Sequence, residues 1–137
     1  MTSVEEAAEL GREVLAAVNN RDWDAALRFY AADAVWEHNL GLGSPAEGVY
    51  RGHSGLRRLW LTVGEAWQFH FDEPDEVREL EDGRFLTLGT FHITGASSGA
   101  PAETRYGMVA TLDEGRIVRH QFFNDRSMAL AAAGLPE

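Results

Sequence analysis

Apart from a short strand and loop at 33–52 and a closing helix, apolar residues recur at helical spacing up to about residue 67 and at strand spacing after it, and this change of period limits the fold more than any other feature. Ser3-Val4-Glu5-Glu6 has the pattern of a capping box. Val4, Ala7, Ala8, Gly11, Val14, Leu15 and Val18 then predict an amphipathic first helix. Asn19-Asn20-Arg21 ends it. Asp22 is placed to cap a short second helix with Trp23, Ala26, Leu27 and Tyr30 on one side. Residues 33–38 read as a strand. Residues 39–52 hold four glycines and a proline and read as a long loop. A third helix is predicted over 54–67, with Leu56, Leu59, Trp60, Val63 and Trp67 as its apolar face. Strands are predicted over 69–79, 84–94, 102–112 and 116–124. Glu81-Asp82-Gly83 and Asp113-Glu114-Gly115 supply hairpin turns, and residues 95–101 a longer connection. Pro74 marks a bulge or an edge in the first long strand. A short helix over 126–133 closes the chain, stopped by Gly134 and Pro136.

Three helices followed by a run of hairpin-linked strands make an α+β fold. A mostly antiparallel, strongly curved sheet wrapped around the N-terminal helices leaves a cone with one open end, where pockets form. The 137 residues suit one domain, spanning 1–137, with a core large enough to fold without a disulfide or metal. Cysteine is absent, which removes thiol nucleophiles and thiolate metal sites and accords with a cytoplasmic location. The first nine residues carry Glu5, Glu6 and Glu9 and no basic residue, unlike a signal peptide. The formal charge of −10, with no basic stripe, argues against nucleic acid and anionic membranes as partners. No cofactor is implied. Gly41-Leu42-Gly43-Ser44 lacks the lysine and the strand–turn–helix setting of a phosphate loop. The five histidines show no metal-binding spacing; His70 and Asp72 share a strand face, but two ligands do not make a site.

Several segments resemble SnoaL-like proteins of the nuclear transport factor 2-like superfamily. Asn20-Arg21-Asp22-Trp23-Asp24-Ala25-Ala26-Leu27, the stretch from Tyr30 to Glu37, and Gly48-Val49-Tyr50-Arg51-Gly52-His53 are similar to their opening half. The run from Asp113 to His120, Phe123-Asn124-Asp125, and Ala129 to Leu135 are similar to their closing half. The resemblance implies a cone-shaped fold and a small apolar ligand. It also implies a homodimer through the outer sheet face, and Phe123 on a mostly polar outer face fits that. It does not imply one activity, because the superfamily holds isomerases, hydrolases, polyketide cyclases, dehydratases and binding modules. Laid on ketosteroid isomerase, His38 takes the place of the general base, while the two oxyanion donors fall on Val14 and Met108, which donate nothing. Laid on limonene epoxide hydrolase, the water-positioning pair falls on Trp36 and His38 and the catalytic aspartate on Phe122. Polyketide cyclases of this type use a histidine and an aspartate, for which His38, His120 and Asp125 are the nearest candidates.

His38 is therefore the leading catalytic candidate, as a base whose ordinary pKa lies near neutrality. The alternative is a histidine hydrogen-bonded at a strand end. His120 shares strand parity with Phe122 and Asn124 and is a second acid/base or an anchor; the alternative is a polar residue in a mixed wall. Asp125 is the third catalytic candidate, although its position also suits an N-cap accepting from around Ser127 and Met128. Trp36, Trp60, Phe91, Tyr106, Met108, Phe122 and Asn124 are the candidate ligand-binding residues. Trp67 joins the aromatics that divide between core and pocket wall. Together these residues predict a cofactor-independent acid/base enzyme of cyclase, isomerase, dehydratase or hydrolase type, acting on an apolar carbonyl-bearing molecule. A binding module for a hydrophobic ligand and an interaction domain with a filled cone are the alternatives.

Overall fold

In the computed structural model, residues 2–39, 47–95 and 101–136 are described. The chain runs α1 (Val4–Asn19), α2 (Trp23–Leu27), β1 (Tyr30–Asn39), β2 (Gly48–Arg51), α3 (Gly52–Ala66), β3 (Trp67–Phe71), β4 (Glu76–Glu79), β5 (Phe85–Gly95), β6 (Pro101–Asp113), β7 (Arg116–Phe123) and α4 (Arg126–Ala132). Much of the expected loop after residue 39, residues 40–46 with the glycines at 41 and 43, lies outside the described residues, as does the connection at 96–100. The later part of that loop is a strand: β2 pairs antiparallel with β1, Val49 opposite Glu37.

The helix starts follow local hydrogen bonding. Ser3 Oγ accepts from Glu6 N and Glu6 Oε1 accepts from Ser3 N, both at 3.1 Å, so the capping box forms. Asp22 Oδ1 accepts from Ala25 N at 3.2 Å. Between them Arg21 turns the chain with φ +60°. The corner is also a clasp on the sheet. Asn19 donates to Phe71 O at 2.9 Å and accepts from Phe71 N at 2.8 Å, which satisfies both backbone groups of an edge-strand residue. The Arg21 guanidinium lies 3.8 Å from the Phe69 ring centroid and donates to Phe69 O.

The sheet order is β2-β1-β7-β6-β5-β3, with β4 also on β5. Its pairs are antiparallel except β1 with β7, which is parallel. The single long strand expected over 69–79 is two strands on the same neighbour. β3 pairs with the C-terminal half of β5 and β4 with its N-terminal half. Pro74, which cannot donate to a ladder, sits in the break between them. Trp67, expected at the end of α3, instead begins β3 and is 42% exposed. Tyr30, expected on α2, is the first residue of β1.

Two apolar clusters form on the two faces of this curled half-barrel. The inner one joins Val14, Leu15 and Val18 of α1, Leu56, Leu59 and Trp60 of α3, and Trp36, Phe91, Tyr106 and Phe122 of the sheet. The outer one joins Leu86, Leu88, Val109 and Phe123 to Ala129 and Ala133 of the C-terminal segment. Phe123 is thus buried under α4, not exposed on a polar face, and it lends nothing to a homodimer there. α4 can lie so close because β6 has a glycine beneath it. A Cβ built on Gly107 would stand 2.2 Å from the Ala129 Cβ. No helix among the described residues is long and apolar enough to cross a membrane.

Gly107→Ala should therefore push α4 off the sheet and cost about 1–3 kcal/mol, the usual range for overpacking a tight contact. Urea unfolding measures this. Combining it with Ala129→Gly should recover part of the loss, and equal stability of Gly107→Ala and wild type would contradict the contact.

Candidate functional site

Alternation along a strand carries the site. On β1, Ala34, Trp36 and His38 are buried, while Glu37 pairs on the opposite face with Arg119 and Gln121 of β7. The parallel register sets Trp36 beside His120 and His38 beside Phe122. These strands make one wall of a cavity of about 390 Å³. α1 and α3 contribute Val14, Leu15, Leu59 and Val63; β3 and β5 contribute Phe69, Phe71, Phe91 and Ile93; β6 contributes Thr104 and Met108. Trp67 and Ala102 are lining residues that are themselves exposed, which marks the open end. That volume falls within the usual range for small-molecule pockets.

The polar groups concentrate on the β1–β7 wall. His38 is 9% and His120 7% exposed. Trp36 Nε1–H donates to His38 Nδ1 at 3.1 Å. Tyr30 Oη lies 2.7 Å from His120 Nδ1. The His38 ring stacks on Phe122, centroids 4.9 Å apart at 12°, and His120 meets Trp36 edge-on at 4.9 Å. Burial pushes the His38 imidazole down from 6.5 to about 4, against a smaller opposing pull from the Glu47 carboxylate. Burial alone takes His120 down to about 4. Protonating His38 would also set an Nδ1–H against the Trp36 N–H. Both imidazoles are therefore neutral near pH 7. Neither has a second hydrogen-bond partner among the described residues, so Nε2 of each is unengaged there.

Of the ligand-binding candidates, Trp36, Trp60, Phe91, Met108, Phe122 and Asn124 line the cavity. Tyr106 does not. Its ring lies against Phe71, Phe91 and Phe122 and passes over Gly89, where an added Cβ would come within 2.8 Å of the hydroxyl. That hydroxyl is buried without a partner among the described residues. Burial, with the Asp75 and Asp72 carboxylates, raises its pKa. Asp125 is also outside the cavity lining; it caps α4, accepting from Met128 N at 3.1 Å. Val14 and Met108 both line the cavity, so apolar groups stand where the resemblance places oxyanion donors. Sequence reasoning missed Tyr30 as a site residue. Its partner is 90 residues away, and helix-like spacing had assigned it to α2. Among the described residues no group of His, Asp or Glu could hold a metal ion.

The model of the SnoaL-like domain family matches residues 12–120. An NTF2-like protein of unknown function from Burkholderia pseudomallei shares 25% identity over 96% of this chain and 97% of its own, with a TM-score of 0.78. A putative polyketide cyclase from Xanthomonas campestris pv. campestris shares 17% identity over 94% and 97%, with a TM-score of 0.76. A protein with a ketosteroid isomerase-like fold from Catenulispora acidiphila, solved with trimethylamine, shares 15% identity over 93% and 94%, with a TM-score of 0.73. At these identities the last two likenesses are of fold alone. No curated protein sequence matches the chain.

Two outcomes follow from the burial of these groups. The histidines' folded pKa values lie below the unfolded value, so their share of stability is complete above pH 6.5 and is lost as pH falls toward about 4. Between pH 7 and pH 5 that loss is about 2 kcal/mol per imidazole. Urea unfolding at both pH values should show His38→Gln and His120→Gln each losing less stability on acidification than wild type. An unchanged drop in both would mean the imidazoles are not buried neutral. Removing the orphan hydroxyl in Tyr106→Phe should stabilise the protein by about 1 kcal/mol; a loss of stability would reveal a hydrogen-bond partner.

Proposed function

The chain belongs to the SnoaL-like domain family, and we propose that it is a cofactor-independent acid/base enzyme of the polyketide cyclase or isomerase type, acting on a small, apolar, carbonyl-bearing molecule. One observation carries this reading: two buried, neutral imidazoles share one wall of a cavity that is otherwise almost wholly apolar. With Nδ1 of each ring engaged, the two Nε2 atoms can between them offer one donor and one acceptor, which is what moving a proton beside a carbonyl requires. The aromatic wall of Trp36, Phe91 and Phe122 suits a flat ring. In such a dry setting a hydrogen bond to a developing enolate oxygen is worth far more than in water.

His38 and His120 are the proposed catalytic residues, with Asn124 and Thr104 as polar contacts nearer the open end. Asp125 is left with its capping role. A homodimer and a cytoplasmic location remain part of the proposal, without the support that Phe123 had seemed to offer.

The second reading is a binding module that holds the same kind of ligand unchanged. It is favoured by the absence of any carboxylate among the described lining residues, and by Val14 and Met108 at the donor positions. A cavity of about 390 Å³ gives the filled-cone reading no support.

A thermal-shift panel of aromatic polyketides, lactones, terpenoid epoxides and steroids separates the two readings, since a ligand stabilises in proportion to its occupancy. The expected result is a compound that stabilises wild type, His38→Ala and His120→Ala alike. Only wild type should convert it well, with each variant about 10²–10⁴-fold slower. Turnover that survives both substitutions would end the enzyme reading. Binding without conversion by any of the three would establish the binding module for that ligand class.

A further inference from the structure

We infer that Trp36 is a positioning residue that holds His38 in its Nε2–H form, so that His38 donates to the substrate carbonyl and His120 is the base. The inference rests on the acid/base reading and divides the work between its two histidines. An indole N–H can only donate. His38 Nδ1, 3.1 Å from Trp36 Nε1, must therefore offer its lone pair, and the one proton of the neutral ring sits on Nε2. Both residues stand on the same face of β1, two positions apart. Neither ring is free to turn away. Trp36 is held edge-on by Trp60 at 6.0 Å, and His38 is stacked on Phe122 at 4.9 Å. Turning the imidazole over would set carbon against the indole N–H and leave that donor buried and unanswered.

His120 has a different kind of partner. The Tyr30 hydroxyl, 2.7 Å from His120 Nδ1, can donate or accept. When it donates, His120 carries its proton on Nε2. When it accepts, Nδ1–H points at the tyrosine oxygen and the Nε2 lone pair is free. Only His120 can present a lone pair at Nε2 without orphaning an obligate donor. This gives the reverse of the isomerase resemblance, in which the position of His38 is the base. Here His38 supplies the donor that Val14 and Met108 lack.

The step balances without a co-reactant. His120 Nε2 takes a proton from the carbon beside the carbonyl. The C–H electron pair becomes a C=C bond, and the carbonyl π pair moves onto the oxygen. That oxygen accepts from His38 Nε2–H. The His120 imidazolium then returns its proton to another atom of the substrate and is neutral again.

The tautomers can be read on the ligand-free, full-length protein labelled with 15N in its histidines, by long-range 1H–15N correlation at pH 7. The expected spectrum shows His38 wholly in the Nε2–H form. Trp36→Phe, which keeps an aromatic ring, should shift His38 toward a mixture of tautomers. Tyr30→Phe should move the His120 signals and leave those of His38 in place. A wild-type His38 in the Nδ1–H form, or one indifferent to Trp36→Phe, overturns the inference. If Trp36→Phe does not fold, the wild-type spectrum decides.

The roles are read with 2-tetralone, a bicyclic apolar ketone, by hydrogen exchange beside its carbonyl in D2O. Wild type should accelerate exchange, and His120→Ala should return it to the buffer rate. Trp36→Phe and His38→Ala should each lower it about 10-fold or more, as expected for loss of a directed donor. Exchange that survives His120→Ala but vanishes in His38→Ala reverses the roles and overturns the inference. No acceleration by wild type, with the tautomers as expected, would remove the base role of His120 and the acid/base reading beneath it, while leaving the Trp36–His38 lock standing.

Discussion

The parallel pairing of β1 with β7 is the contact on which the site depends. Among the described residues it is the one parallel ladder, and it joins residues 30–39 to residues 117–123 across most of the chain. Hairpins bring strands together cheaply because their ends are close in sequence; this pair has no such help, and loop closure opposes it. What holds it is burial on the inner face and hydrogen bonding on the outer. Tyr30 is sealed against Trp60 and His120, and Ile117 N donates to Phe29 O just before the ladder begins. On the outer face Glu37 accepts from Arg119 at 2.6 Å and from Gln121 at 3.2 Å. Slip β1 by one residue against β7 and His38 would turn to solvent while Glu37 entered the core.

The same wall shows how the fold tolerates its polar groups. Burying an imidazole costs free energy unless its nitrogens are answered. Here each ring has Nδ1 bonded to a neighbour from the aromatic core and Nε2 without a partner among the described residues, and both residues line the cavity. The bonded nitrogen fixes the ring, and the other is the one the proposed chemistry would use. An indole and a hydroxyl are both hydrogen-bond donors, but only the hydroxyl can reverse. That difference is invisible if the two histidines are described simply as buried. A third polar group of the inner core, the Tyr106 hydroxyl, has no such partner among the described residues and no place in the cavity lining. It is the clearest local misfit of the inner core, and it lies beside the break where β3 gives way to β4.

Beneath α4 the outer face is organised by volume. Gly107 leaves room for Ala129, and α4 covers Leu88, Val109 and Phe123. This helix ties β6 and β7 together from behind, and so supports the wall that carries His120 and Phe122. Asp125 serves that arrangement as a cap. Its position between the last strand and the last helix explains why it resembles a catalytic aspartate in the sequence while its carboxylate is engaged with Met128 N.

Much of this was legible without coordinates. The helical and strand periods, the capping residues Ser3, Asp22 and Asp125, the two hairpin turns and the inward parity of His120, Phe122 and Asn124 all follow from local rules, because each depends on residues a few positions apart. The α+β class and the cone follow from their order. Other features depended on contacts that no local rule reaches. β2 is four residues in a glycine-rich stretch, and it becomes a strand only because β1 offers it an edge. Phe123 has outward parity, yet it is buried, because a helix of small residues lands on it. Tyr30 left helix spacing for a strand because its ring fits between Trp60 and His120. The sequence by itself determined that His38 and His120 are the groups able to do chemistry and that His120 shares a strand face with Phe122 and Asn124. Only the tertiary structure decided which nitrogen of each histidine would be engaged and which left over. That choice belongs to the partner on the engaged nitrogen, and for His120 that partner comes from the far end of the chain.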